Sequence, residues 1–173
     1  MLTDRERTKA LGLWGESKAI TLLGRAKFLN VRDMNAQNVN HPFGDIYAER
    51  AGGRYLIGVK TRNKYQVNGL LNPTYNIRKK HADVRAIARR HDAQLAWVTI
   101  QIIPEEKVFW SYFGTIASIE EGGERFSIPM RASAVSRYEC LAIEEADAAI
   151  SPDWSNGGYG RSRDRPIFRE MGM

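Results

Sequence analysis

The stretch from Phe43 to Arg62 constrains this chain more than any other. It reads Phe-Gly-Asp-Ile-Tyr-Ala-Glu-Arg-Ala-Gly-Gly-Arg-Tyr-Leu-Ile-Gly-Val-Lys-Thr-Arg. Asp45 to Ala51 and Arg54 to Thr61 alternate in polarity around Gly52-Gly53, a pair suited to a two-residue primed turn, so the stretch predicts a β-hairpin. With Ala51 facing Arg54, paired positions sum to 105. Glu49 then faces Leu56, Tyr47 faces Gly58 and Asp45 faces Lys60. Directly opposed residues hold their Cβ atoms about 4.5 to 5.5 Å apart, so this register makes a carboxylate and an ammonium neighbours far from the turn.

Charge gathers at the same place. Of the 173 residues, 54 to 90 carry ten Lys or Arg (Arg54, Lys60, Arg62, Lys64, Arg78, Lys79, Lys80, Arg85, Arg89, Arg90) against the single acid Asp83, while the whole chain has a net charge of +6. The remainder is therefore slightly acidic, and the basicity is local. A focus of this kind suits a polyanion such as DNA or RNA. A solvated helix face is the ordinary alternative for a basic run, and adjacency to Asp45 and Lys60 favours the nucleic-acid reading.

The rest of the chain predicts alternating helices and strands. Residues 5 to 25 have helical spacing through Leu11, Trp14, Ala19, Leu22 and Leu23, with Gly24 as a stop. Glu16 lies on or beside the apolar face of that helix, where it either serves a site or pairs with Lys18 or a sheet residue. Lys27 to Arg32 predicts a short strand, Asp33 to His41 a loop, and Asn63 to Tyr75 a second loop. A basic helix is expected from a cap at Thr74 or Asn76 to about His91. Gln94 to Ile103 is a continuous apolar strand, and Lys107 to Thr115 another whose Phe109, Trp110, Tyr112 and Phe113 belong more readily to a core than to a base-stacking surface. Glu120 to Glu124 predicts a turn and Phe126 to Met130 a strand. Ala132 to Ile150 fits a helix or a helix followed by a strand. This partition gives one domain over residues 1–150 and a loosely packed tail over 151–173, with Trp154, Tyr159 and Phe168 as anchors. One cysteine and three histidines provide neither an intrachain disulfide nor a zinc set, and no apolar run reaches the ~18 residues of a membrane span. A cytoplasmic protein with no membrane segment is the expectation.

Together the residues resemble the PD-(D/E)xK superfamily of restriction-endonuclease-like and Holliday-junction-resolvase-like nucleases. The resemblance covers roughly residues 5 to 100 and rests on Pro42 and Asp45 in Pro-Phe-Gly-Asp, on Lys60 in Gly58-Val59-Lys60, and on Glu16 in Trp14-Gly15-Glu16. It implies an α/β fold with a restriction-endonuclease-like core, a mixed sheet flanked by helices in the order α-β-β-β-α-β. It also implies a metal-dependent DNA endonuclease using Mg²⁺ or Mn²⁺, and a homodimer where two strands are cut. The implied roles are Asp45 as central metal ligand, Glu16 as a ligand direct or through water, the Val59 carbonyl as another, and Lys60 to orient the water or stabilise the phosphorane-like charge. Arg62, Lys64, Arg78, Lys79, Lys80 and Arg85 would bind the backbone. Gly58 departs from the pattern, standing where the family has Asp or Glu. Asp83 on the basic helix could stand in for it, as in members that move the acid to a neighbouring element, but the spacing gives that no support; a catalytically inactive module that binds nucleic acid or a protein partner is the alternative.

Overall fold

The computed structural model describes residues 2–36, 43–79, 83–146, 149–151 and 154. Pro42, Lys80, most of the loop predicted over 33–41, and the tail beyond Trp154 lie outside the described residues.

The chain begins with α1 (Asp4–Arg25), started by a capping box in which the Thr3 hydroxyl accepts the Glu6 N–H and the Glu6 carboxylate accepts the Thr3 N–H. Leu11, Trp14, Ala19, Leu22 and Leu23 form its buried stripe. Then come β1 (Leu29–Asp33), β2 (Ile46–Arg50), β3 (Gly53–Asn63), β4 (Thr74–Arg78), α2 (Val84–Arg90), β5 (Gln94–Ile103), β6 (Val108–Thr115), β7 (Glu120–Glu121), β8 (Arg125–Pro129), α3 (Ala132–Val135) and β9 (Glu139–Glu145). The main sheet runs β1-β2-β3-β5-β6-β9, parallel only between β3 and β5, and a smaller sheet runs β4-β8-β7. Among the described residues no helix is long and apolar enough to cross a membrane.

The two faces of the main sheet carry different cores. Odd residues of β3 and even residues of β5 face α1, so Ile57, Val98, Ile100 and Ile102 pack with Leu22, Leu23, Trp14 and Phe109. Trp154 closes that core against Trp14 at 6.0 Å between ring centroids, and Asn63 Nδ2 donates to its carbonyl at 3.0 Å. The opposite face, with Leu56, Leu95 and Trp97, is covered by Tyr75, Ile77, Phe126 and Ile128 of the smaller sheet. As expected for core residues, Phe109, Tyr112 and Phe113 are buried.

Three expectations are corrected. The hairpin turns one residue earlier than Gly52-Gly53, on Ala51 (φ 50°) and Gly52 (φ 77°), and Arg50 pairs with Gly53. Paired positions therefore sum to 103, and Glu49 lies opposite Arg54 instead of Leu56. This register preserves the inward and outward faces and places Glu49 level with Arg54, although Glu49 bonds to Tyr47 and Asn30 and Arg54 pairs with Asp92. Asp45 consequently falls level with Gly58, and Lys60 lies one step further along the same face. Second, Thr74 to Arg78 is a strand where a helix was expected. Its Tyr75 and Ile77 are buried while Thr74 and Arg78 are exposed, a period of two, and β8 pairs along its length. The helix is confined to Val84–Arg90 because Asp83 caps it, its Oδ1 accepting the Ala86 N–H at 2.9 Å. Asp83 is thus a capping residue, not the replacement acid. Third, Glu120 and Glu121 form a short strand against β8 instead of opening a turn.

Candidate nucleic-acid site

β2 begins at Ile46, level with Ile57, while β3 runs on to Asn63. The far half of β3 therefore has no β2 residue beside it, and Asp45 stands where the pairing stops. The preceding glycine aims it: a Cβ on Gly44 would sit 2.3 Å from Leu56 Cδ1, so only glycine lets the chain cross this close. The Asp45 N–H donates to the Ile57 carbonyl at 2.9 Å and its carbonyl accepts the Met34 N–H at 2.8 Å. Its carboxylate turns back onto β3, with Oδ2 accepting the Val59 N–H at 2.7 Å and Oδ1 accepting from Asn35 Nδ2 at 3.1 Å. A strand residue points its N–H and C=O to the same side, so the Val59 carbonyl opens on this edge as well.

Lys60 follows directly. Burial, then the charges of Arg62 and Arg78, push its ammonium down from 10.5 to about 8, with Asp45 acting the other way. The sign for binding is clear: the cation is present below about pH 8 and lost above it. Affinity for a phosphate-bearing ligand is thus expected to fall as pH rises through 8, and Lys60→Arg to flatten that step in an anisotropy titration. The folded protein holds this proton less tightly than the unfolded chain, so its own stability changes in the other direction, rising between about pH 8 and 10.5.

Glu16 belongs to the α1 side. The helix presses onto β3 so closely that a Cβ on Gly15 would meet Thr61 Oγ1 at 1.7 Å, and the next residue, Glu16, is half-buried. Asp45, Val59 and Lys60 are thus brought together on one edge, while Glu16 belongs to the helix that packs on the face of β3 opposite to Lys60. The missing acid has a structural counterpart. A Cβ at Gly58 would lie 3.1 Å from Ile77 Cδ1 and 3.5 Å from Phe43 Cζ, so the space beside it is already occupied by apolar side chains. Among the described residues no three His, Cys, Asp or Glu side chains gather as a metal-binding group.

Beside Lys60 lies a cleft of about 210 Å³ whose lining carries Lys60, Arg62, Arg78 and Arg125 with Asn72 and Asn76 and, among the described residues, no carboxylate. Arg78 and Arg125 are direct partners across β4 and β8. Like charges so placed destabilise a sheet, and an anion between them relieves the repulsion. Asn76 accepts the Ser127 hydroxyl at 2.9 Å through Oδ1, leaving its NH₂ as a donor for the cleft. Arg125 escaped sequence reasoning because only the β4–β8 pairing puts it opposite Arg78. The remaining basic residues are used differently. Lys79 is bridged to Glu121 at 2.7 Å and rests over Phe126, and Arg85 pairs with the same carboxylate. Lys64 lies 4.3 Å above the centroid of Trp110.

By sequence, the chain matches no family model and no curated protein. By structure it is similar to Hjc, a Holliday junction resolvase from the archaeal hyperthermophile Archaeoglobus fulgidus, with a TM-score of 0.52 and 19% identity over 76% of this chain and 97% of that one. The likeness is one of fold. The chain has the restriction-endonuclease-like architecture that the Asp45 and Lys60 motifs implied, a mixed sheet with helices in the order α-β-β-β-α-β, into which β4 is inserted after β3.

Proposed function

We propose that this protein binds DNA in the cleft beside Lys60 and hydrolyses its phosphodiester backbone with a single divalent cation, Mg²⁺ or Mn²⁺. The observation that carries this reading is the Asp45 carboxylate, held on the Val59 N–H at the open edge of β3 next to a lysine with a depressed pKa.

The donor set fits one hard cation. Mg²⁺ takes oxygen ligands, keeps several waters, and needs only one or two protein carboxylates. The Asp45 oxygens accept the Val59 N–H and the Asn35 amide, and an ionised carboxylate is an acceptor on both oxygens that suits a hard cation. The Val59 carbonyl opens on the same edge, and Glu16 of α1 would be the second carboxylate, direct or through water. A second cation has no such support, since Gly58 offers no carboxylate and Ile77 and Phe43 stand where its side chain would be. A bound ion would supply Lewis-acid polarisation of the phosphoryl group and a more acidic water. The protein's own groups do the rest. Val59 N–H and Asn35 hold the Asp45 carboxylate in one orientation, Arg62, Arg78 and Arg125 grip the backbone, and Lys60, charged at neutral pH, stabilises negative charge developing on the phosphoryl oxygens.

The test is nicking of a supercoiled plasmid. Native protein with Mg²⁺ or Mn²⁺ is expected to produce open circles, and EDTA or Lys60→Ala to prevent it. Cleavage undiminished in Lys60→Ala would refute the assignment. A second reading, a binding module without catalysis, draws on the apolar filling beside Gly58. It predicts salt-sensitive DNA binding by the native protein, with a log–log slope of about −3 for three phosphate contacts, and no nicking under any metal.

A further inference from the structure

The face of the main sheet that carries Lys60 and Arg62 continues sideways into β5 and β6. Arg62 pairs with Gln101 and Gln101 with Trp110; Lys60 pairs with Thr99 and Thr99 with Tyr112. Above Gln101, Trp110 and Tyr112 opens a cavity of about 590 Å³, bounded by Lys64 on one side and by Arg131 and Ser136 around α3 on the other. This cavity starts one strand over from the basic cleft, and neighbouring strands lie about 4.8 Å apart.

Its floor contains an unexplained polar group. Gln101 is 3% exposed, and its Nε2 has no hydrogen-bond partner among the described residues. The same amide tempers the upward push that burial gives the Tyr75 hydroxyl, so it lies near that oxygen without the geometry of a formed bond. A buried donor left unpaired is costly, and native proteins keep such groups where a ligand or water completes them. Trp110 is half-buried, whereas Trp14, Trp97 and Trp154 are buried. The Lys64 ammonium sits on its ring face, 4.3 Å from the centroid. A cation on a flexible stem marks a π-face that another flat group can take, and frees a charge for a phosphate when displaced.

We propose that this cavity receives one unpaired nucleobase of a DNA strand whose phosphate lies in the Lys60–Arg62 cleft, the base stacking on Trp110 and accepting a hydrogen bond from Gln101 Nε2. Cleft and cavity are then two halves of one nucleotide site, and the favoured substrate is DNA with single-stranded or unstacked positions in place of continuous duplex. Stacking on an aromatic face tolerates any base, whereas the amide donor requires an acceptor on the base edge.

This inference rests on the DNA-binding reading of the cleft, and its test separates the two. Affinity is measured for three fluorescent probes of equal length: an oligodeoxythymidylate, an abasic deoxyribose-phosphate strand, and a blunt duplex. The native protein is expected to bind the thymidylate about tenfold more tightly than the abasic strand, toward the low end of what stacking one base contributes. The ratio should approach one in Gln101→Leu and in Trp110→Leu, two substitutions at different positions whose folding is checked by thermal melting. Thymidylate, unlike the abasic strand, should also quench tryptophan emission, and Trp110→Phe should reduce that quenching. Equal native affinity for all three probes would overturn the base site and leave the cleft standing. No salt-dependent binding to any probe would overturn both.

Discussion

Asp45→Asn is expected to abolish metal-dependent plasmid nicking while leaving the fold intact, and Asp45→Ala to lose both activity and stability. The two substitutions separate the two tasks of one carboxylate. Asn keeps an oxygen that can accept the Val59 N–H, the 2.7 Å bond that ties the end of β2 to β3, but it removes the negative charge a cation requires. If the ion contributes the several kcal/mol of transition-state stabilisation usual for such metals, losing it lowers the rate on the order of 10³-fold. Ala removes the acceptor as well. The Val59 N–H and the Asn35 amide, which donates at 3.1 Å, would both lose this acceptor in a half-buried position, at a cost of about 1 to 3 kcal/mol. Nicking and urea melts on both variants check this. Full activity in Asp45→Asn would remove Asp45 from the chemistry, and equal stability of Asn and Ala variants would remove it from the strand edge.

What was legible in the sequence was local. α1, β5 and β6 announce themselves through long periodic or continuous apolar runs, and the hairpin through alternation around glycines. Its register was not legible at the same level, because Ala51-Gly52 and Gly52-Gly53 differ as turns by one residue and leave the inward and outward faces the same. In the register adopted, Arg54 stands level with Glu49. The strand Thr74–Arg78 was hidden for a related reason. Its basic continuation into Lys79 looks like the start of the helix that follows, and only β8, some fifty residues later, supplies the partner that makes it a strand. The same distance concealed the cleft. Asp45, Val59 and Lys60 are close in sequence and are found on one edge, whereas Arg125 and the apolar groups beside Gly58 arrive from elements that composition does not connect to them. Lys79 and Arg85 looked available for phosphate until β7 brought Glu121 between them.

The filling beside Gly58 leads to the second large effect. Gly58→Asp, which restores the family's acid, is expected to destabilise the protein by about 3 kcal/mol, because it puts a carboxylate against Ile77 and Phe43 and level with the like charge of Asp45. For a domain of this size that lowers Tm by roughly 6 to 12 °C. Gly58 is not among the residues with positive φ, so the backbone accepts a side chain, and Gly58→Ala isolates the steric part: its Cβ meets Ile77 at 3.1 and 3.3 Å and Phe43 at 3.5 Å, contacts that small shifts of Ile77 can absorb. The gap between the Ala and Asp variants then measures charge burial. Ile77→Ala alone should cost about 2 to 5 kcal/mol through the cavity it leaves, yet combined with Gly58→Asp it should cost less than the sum, with a coupling of about 1 to 2 kcal/mol as water and the new carboxylate share the vacated space. The double variant should also gain thermal stability on adding Mg²⁺ beyond any gain in the native protein, since a ligand that binds only the folded state stabilises it by mass action. Additive costs with no added response to Mg²⁺ would mean that Ile77 does not stand in the place of the acid, and that something other than packing keeps glycine at position 58.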